Sequence, residues 1–399
     1  MGEGWGLPLL LALLAALGEA AWLGGVGWFL ARYRPPLARA EGRVSLIMAA
    51  TGHSAGMPAL FAALAAQTLR PRRLILAVES AADPALAQAR GLAHLLPFPI
   101  EVALGGTEAG RRSQKATNLI AALRLVDGAD EAVAFCDLDI LPRPGWLNDL
   151  VAPVLRGDAD VVHGGRWSLA GRGAGPVRHL ATWLDRTLTL SPRQITGRGY
   201  VWGGSIGISA AALARMDLPA AFDRALSTDG AIDRRIAALG LRLLFRRALL
   251  VPTPPEGGER AAWAFKRRQM QMIHLNHPPA WRLLGLALHL QAAAIPLALL
   301  ALAGNGAAAA LLALPAGLGL LRAAGHDRAG RLAGAPDPWP VRLAQFAIGA
   351  VTPLAAGFAL AMFWSTARVR RIRWRHVDYE LGPGGEVRVA RRRGHGAIG

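Results

Sequence analysis

Two kinds of apolar pattern alternate along this chain. Between Val44 and Phe245 the apolar runs are short and end at glycine, proline or acids. They cover Val44 to Ala50, Arg73 to Val78, Ile100 to Leu104, Val133 to Ile140, Asp160 to His163 and Leu241 to Phe245. Runs of this length bounded by breakers read as buried strands. Between them lie stretches with helical spacing. One follows Thr51-Gly52-His53 and reaches Leu69; another starts at Asp83-Pro84, with Asp83 as N-cap and Pro84 as first helical residue. Ser227 to Gly240 carries apolar positions at Ile232, Ile236 and Leu239, a cap at Ser227 or Thr228, and a stop at Gly240. Strands alternating with helices predict an α/β domain with a largely parallel sheet.

Outside that region the runs lengthen. Leu7 to Leu30 is interrupted only by Glu19 and is long enough to cross a bilayer. No basic residue precedes it, whereas Arg32, Arg34, Arg39 and Arg43 follow. That order predicts an uncleaved anchor with its N-terminus outside and the main domain cytoplasmic. Further apolar segments run from Leu283 to Leu302, Ala307 to Leu321 and Val341 to Trp364, the last with Pro353 in its middle. Three full crossings would leave Arg368, Arg370, Arg371, Arg373 and Arg375 outside, against the positive-inside rule. Either Val341 to Trp364 is a broken, re-entrant hairpin or an earlier segment lies in the interface, and the C-terminus is expected in the cytoplasm. The expected division is an anchor at 1–34, an α/β domain at 43–278, membrane or re-entrant segments at 281–366 and a basic tail at 367–399.

Composition supports a membrane protein: 53% of residues are hydrophobic and mean hydropathy is +0.29. The net charge of +18 comes almost wholly from arginine, since Lys115 and Lys266 are the only lysines among 45 basic residues. Many arginines flank the apolar segments, where anionic lipid and cytoplasmic orientation favour them, so a nucleic-acid partner is not expected. A single cysteine, Cys136, excludes an intramolecular disulfide and a cysteine-based zinc site, and suits a reducing compartment.

The chemistry concentrates at VAFCDLDILPRPGW, Val133 to Trp146. Asp137 and Asp139 sit where an apolar strand runs out, and ligands of open α/β sheets bind beyond the carboxyl ends of strands. One residue apart on an extended backbone, the two carboxylates can share a divalent cation that also takes diphosphate oxygens. A plain strand-end turn with solvated acids is the alternative. The loop Gly105 to Asn118 is glycine-rich and basic, and opens a helix that can offer backbone N–H groups and the Lys115 cation to phosphate. A solvated basic loop would look the same. Glu79 closes its strand and is either a hydrogen-bond acceptor for a base or ribose or a strand-end acid. The Trp202-Gly203-Gly204-Ser205 turn admits a ligand against an aromatic wall, or is only a tight turn. Asp229, in the first turn of its helix, is suited to a general base or is an ordinary first-turn acid. The stretch WAFKRRQMQM, Trp263 to Met272, could hold a diphosphate or lie at lipid headgroups.

Taken in order, these motifs resemble a GT-A glycosyltransferase of the family 2/21 type. They are most similar to ceramide glucosyltransferases and to bacterial relatives that glycosylate hopanoids. Asp83-Pro84-Ala85 resembles the DPA of that family, and Gly105-Gly106, Gly110, Lys115 and Asn118-Leu119 its glycine-lysine-NL loop. Cys136-Asp137 with Ile140 resembles its metal-site CDxxI, and Asp229 with Ile236, Gly240 and Arg242 its catalytic-base helix. Trp374-Arg375, Tyr379 and Gly384-Gly385 are similar to its cytoplasmic tail. The resemblance implies a Rossmann-like GT-A cytoplasmic domain with N- and C-terminal transmembrane helices in a bacterial inner membrane. It implies inverting transfer of a sugar, glucose or a related hexose, from a UDP-sugar to a lipid hydroxyl. Asp229 would be the base, Asp137 and Asp139 the Mg²⁺ or Mn²⁺ ligands, and Glu79, Asp83, Lys115, Arg267 and Arg268 donor-site residues, with Trp202, Gly203 and Gly204 shaping the pocket.

Two features depart from that pattern. Glu79 or Asp83 must stand for the family's first acid. The family's (Q/R)xxRW motif reads RQMQM here: Arg268 takes the first position, while Gln271 and Met272 replace Arg-Trp. Glutamine cannot supply the cation that arginine gives to a diphosphate, so Arg267 or Lys266 would have to compensate. A processive polysaccharide synthase would need more spans and an intact QxxRW; a non-catalytic binder of nucleotide sugar or lipid would not need all three aspartates.

Overall fold

The computed structural model describes residues 5–108, 110–191, 201–382 and 386–394. The beginning of the Gly197 to Ser209 stretch, through Tyr200, and the Gly384-Gly385 pair lie outside the described residues. The chain forms two compact units, each assembled from separated segments. Residues 34–166, 194–254 and 370–399 make one; residues 1–33, 167–193 and 255–369 make the other.

The first unit is α/β. Its seven strands are β1 (Val44–Ala49), β2 (Arg73–Val78), β3 (Ile100–Leu104), β4 (Ala132–Cys136), β5 (Val161–Ser168), β6 (Ser205–Ser209) and β7 (Leu243–Thr253). They lie in the order β3-β2-β1-β4-β6-β5-β7. The first four are parallel, with Ile47 opposite both Ile75 and Phe135, and β6 runs antiparallel to β4 and β5. Successive residues of a strand face opposite sides of the sheet, and both sides are apolar here. Leu46, Met48, Leu74, Leu76, Ala132 and Ala134 pack into one core, while Ile47, Ile75, Ala77, Val133 and Phe135 pack into the other. The helices Met57–Ala65, Pro84–Leu92 and Trp146–Leu155 cover the first core; Gln114–Leu123 and Thr228–Leu239 cover the second.

The acid-bearing strand is shorter than its apolar run suggests. It ends at Cys136, and Asp137, Leu138 and Asp139 lie on the turn that follows. The two aspartates therefore do not share one side of an extended strand. Leu138 and Ile140 turn inward to the core, so the chain bends there and leaves the acids at the sheet's carboxyl edge.

The C-terminal residues form a second, antiparallel sheet of β8 (Arg371–Trp374), β9 (Val377–Leu381) and β10 (Val387–Arg392), ordered β10-β9-β8. Ile372, Val377, Tyr379 and Val387 are its buried positions. A basic tail does not announce these strands in its sequence, because the arginines between the buried residues dominate the composition.

The second unit is helical. Gly6–Ala31, Pro278–Leu302 and Gly306–Leu332 are the three helices among the described residues long and apolar enough to cross a membrane. Trp339–Ala350 and Thr352–Trp364 form a pair bent by 88°. Pro353 sits in the first turn of the second of these, where proline starts a helix but cannot continue one. Glu19 is fully buried and faces Arg322 (Nη2 to Oε2, 3.2 Å) and Gln291, whose Nε2 donates to its Oε1 (2.5 Å). The helix Pro176–Thr189 is not expected from the sequence pattern: Asp185 and Arg186 are buried beside Trp183, Leu184 and Leu188, which hides its apolar face.

Candidate active site

The α/β unit gathers Lys115, Asp137, Gly203, Thr228 and Asp229 around one cleft. They arrive on four elements, with Thr228 and Asp229 on the same helix. Asp137 follows β4. Lys115 is in the first turn of Gln114–Leu123, capped by Ser113, whose Oγ accepts from the Ala116 N–H. Asp229 is in the first turn of Thr228–Leu239, capped by Ser227 through the Gly230 N–H and stopped by Gly240 at φ +60°. Those caps fix where each helix begins, and so where each side chain projects.

Asp229 is held on both oxygens. The Gly203 N–H donates to Oδ2 (2.8 Å) and the Thr228 hydroxyl to Oδ1 (3.2 Å). A Cβ on Gly203 would come 2.2 Å from Asp229, and one on Gly204 would come 2.2 Å from the Trp202 ring. These glycines make room for the protein's own carboxylate and indole, not for a ligand as the sequence suggests. The Trp202 indole N–H is buried without a hydrogen-bond partner, and the Arg166 guanidinium lies 5.3 Å from its ring centre.

The aspartate turn is strongly charged. Lys115 Nζ donates to Asp137 Oδ1 (2.7 Å), and Arg166 Nη1 to Asp139 Oδ2 (3.2 Å). Burial pushes the Asp137 carboxyl up; Lys115 opposes this, but the charges of Asp139 and Asp229 add to it. Burial also acts on Asp139, yet Arg166, Arg375 and Lys115 together outweigh it and hold that carboxyl below its ordinary range. Burial disfavours the Lys115 ammonium, but Asp137, Asp229 and Asp139 more than compensate and keep it protonated.

The donor set fits a hard divalent cation. Asp139 Oδ1 is buried without a hydrogen-bond partner, so its lone pairs are available at the turn. No group of three or more His, Cys, Asp or Glu residues is placed to hold a metal ion among the described residues. A cation taken by Asp137 and Asp139 would thus need further oxygens from substrate or water, which is how Mg²⁺ usually binds.

Other expected residues have other roles. Asp83 caps its helix as predicted: Oδ1 accepts from Ala85 N (2.9 Å) and Gly52 N (2.8 Å), while Oδ2 is buried and unpartnered. Glu79 is committed to the C-terminal sheet. His376 Nε2 stands 2.9 Å from its Oε2, and Arg392 donates to its Oε1 (2.7 Å). The backbone cradle expected at Gln114–Leu123 is already taken, because the Gln114 N–H donates to Tyr379 Oη (2.9 Å) and the Ala116 N–H to Ser113. The loop before it is organised by Glu108, which accepts from the Gly110 and Arg111 amides and from Thr117. Arg267 and Arg268 belong to the helical unit, on Glu259–Asn276. Arg267 donates to the Ser365 carbonyl (2.9 Å), Arg268 lies over Phe265 (5.3 Å), and Lys266 pairs with Asp185 (2.5 Å). Arg166, His376 and Arg392 escape sequence reasoning, since nothing in their spacing links them to the acids.

A sheet parallel at one side and antiparallel at the other, with acids just past its central parallel strand, is the GT-A glycosyltransferase architecture. The sequence model of glycosyl transferase family 21 matches residues 9–387, and the chain belongs to that family. No curated protein matches it. Among solved structures it is similar to a mannosyltransferase from Pyrobaculum calidifontis in complex with GDP-Man and Mn²⁺. That match has 18% identity and a TM-score of 0.52, and covers 89% of this chain and 99% of the other. A glucosyl-3-phosphoglycerate synthase from Mycobacterium tuberculosis matches at 16% identity over 64% of this chain and 84% of its own, with a TM-score of 0.40.

Proposed function

We propose that this glycosyltransferase moves a hexose from a nucleoside-diphosphate sugar, a UDP-sugar, to the hydroxyl of a membrane lipid such as a ceramide or hopanoid, with inversion. The observation that carries the reading is Asp229, oriented by Gly203 and Thr228, lining the same cleft as Lys115 and Asp137. An acceptor hydroxyl beside Asp229 gives its proton to the carboxylate as its oxygen attacks the anomeric carbon. The new C–O bond forms while the bond to the diphosphate breaks, and that electron pair departs with the nucleotide. Asp137 and Asp139 would hold Mg²⁺ or Mn²⁺, which when bound would supply positive charge to the leaving diphosphate. Lys115 adds a cation from the opposite helix. With Glu79 committed to His376 and Arg392, the free Oδ2 of Asp83 is the better acceptor for an N–H of the base.

The apolar helices support the choice of a lipid acceptor. Because β8–β10 fold into the same unit as residues 34–166, the tail and the α/β domain share one side of the membrane. The chain between them must cross an even number of times. Pro278–Leu302 and Gly306–Leu332 provide two crossings, leaving the bent pair re-entrant. The arginines beside the helices support a reading in which that shared side is the cytoplasmic face of a bacterial inner membrane.

The test is Asp229→Asn in protein purified in detergent and supplied with Mn²⁺, a panel of UDP-sugars and extracted membrane lipids. Glycolipid formation should fall about 10²- to 10⁴-fold, with UDP binding retained. Full turnover in the folded variant would sink the assignment of the base.

A further inference from the structure

We infer that His289 and Trp364, side by side on the outer surface of the helical unit, bind the polar end of the acceptor lipid, with His289 Nε2 accepting a hydrogen bond from a lipid O–H or N–H. This rests on the lipid-acceptor reading above. His289 lies within Pro278–Leu302, one of the helices apolar enough to cross a membrane. It is about 10 Å along that helix from Arg282, the nearest arginine before it. Leu283 and Leu286 are 68% and 58% exposed, and His289 continues their spacing and is exposed as well. The histidine thus interrupts a leucine face that hydrocarbon would otherwise cover. Ionisable side chains within a membrane almost always turn toward a protein interior, and a polar group turned to lipid without a partner is costly. One held on the outer face points to a use for it.

The imidazole is oriented by its own helix. His289 Nδ1 stands 2.7 Å from the Gly285 carbonyl. A carbonyl only accepts, so Nδ1 carries the hydrogen, and in the neutral ring Nε2 is left as an acceptor. Two aromatic rings hold it in place, Phe363 at 5.8 Å and Trp364 at 5.6 Å, both edge to face. Phe363 is buried and stacks on Trp281 at 4.1 Å. It fits because residue 285 is glycine, where a Cβ would come 2.4 Å from the ring. Trp364 itself is 57% exposed beside the histidine. It ends its helix, and Arg368 follows four residues on. Tryptophan followed by arginine sits where headgroups meet hydrocarbon. The ester carbonyls that a glycerophospholipid presents at that depth only accept, so they cannot satisfy Nε2. A lipid that accepts a sugar carries at least one hydroxyl, and so brings the donor that the bulk lipid lacks there.

The experiment titrates extracted membrane lipids against the full-length protein in detergent, at saturating Mn²⁺ and UDP-sugar, for wild type, His289→Leu and His289→Gln. Leucine matches the rest of the exposed face, so the melting temperature of His289→Leu should equal or exceed that of wild type. Its KM for lipid should rise about 3- to 10-fold, the loss of one hydrogen bond, while kcat and the KM for UDP-sugar hold. His289→Gln keeps a side-chain acceptor oxygen and should recover part of the loss. An unchanged KM for lipid in His289→Leu, with or without a fall in kcat, overturns the proposal and leaves the proposed function standing. So does an equal rise in both variants, which would mark the imidazole as packing for Phe363 and Trp364. A wild type that binds UDP-sugar but makes no glycolipid overturns the lipid-acceptor reading and this proposal with it.

Discussion

The chain's two lysines each face an aspartate, one in each unit, and the pairs differ in what surrounds them. Lys115 and Asp137 are 2.7 Å apart with side chains 19% and 20% exposed, and Asp139 and Asp229 also act on the ammonium. Lys266 and Asp185 are 2.5 Å apart and 2% and 11% exposed. Asp185 also accepts from the Ser168 hydroxyl, so that pair ties the helices Glu259–Asn276 and Pro176–Thr189 together. The first lysine is shared among several carboxylates beside a cleft; the second is sealed against Asp185. A shared, half-open pair can be re-partitioned, its acid toward a metal and its cation toward a phosphate. A sealed pair cannot open without stranding a charge.

Breaking the sealed pair should have the larger effect. Lys266→Met should destabilise the protein by about 3–5 kcal/mol in chemical denaturation, because Asp185 is left buried without its cation. Adding Asp185→Leu should restore much of that loss, and donor affinity per folded molecule should not change. Lys115→Met should do the reverse. Its kcat/KM should fall about 10²- to 10³-fold, the cost of removing one preorganised charge at a transition state, with little change in denaturation midpoint. If Lys266→Met denatures like wild type while losing donor affinity, the distinction drawn between the two pairs collapses.

Much of the α/β unit is legible because its strands are short apolar runs cut by breakers. β2 and β3 match their expected limits, and Asp83, Ser227 and Gly240 cap the helices they were expected to cap. Of the cleft, Lys115, Asp137 and Asp229 are legible from the residues around them. The aspartate turn is harder to read, because Leu138 and Ile140 continue the apolar run after the backbone has left the sheet. Arg166, His376 and Arg392 are not legible, since their partners lie 27 to 313 residues away along the chain. The strands of the tail are hidden by charge: Ile372, Val377 and Tyr379 alternate correctly but sit among arginines.

A third acid sharpens the contrast because one arginine charge opposes the burial that raises it. Asp233 lies one turn beyond Asp229 on Thr228–Leu239. Burial raises its carboxyl from 3.8 to about 6, and the Arg234 charge offsets only part of this. The folded state therefore binds a proton more readily than the unfolded chain between those values. Stability should fall as pH rises from about 4 to 6, with the penalty complete above 6 and absent below 3.8. Solvent still reaches the carboxylate, so screening leaves the effect near 1 kcal/mol or less. Denaturation midpoints across that range should show the slope in wild type and lose most of it in Asp233→Asn. An unchanged slope would mean that the Arg234 charge offsets burial in full and that Asp233, unlike Asp137, is not raised.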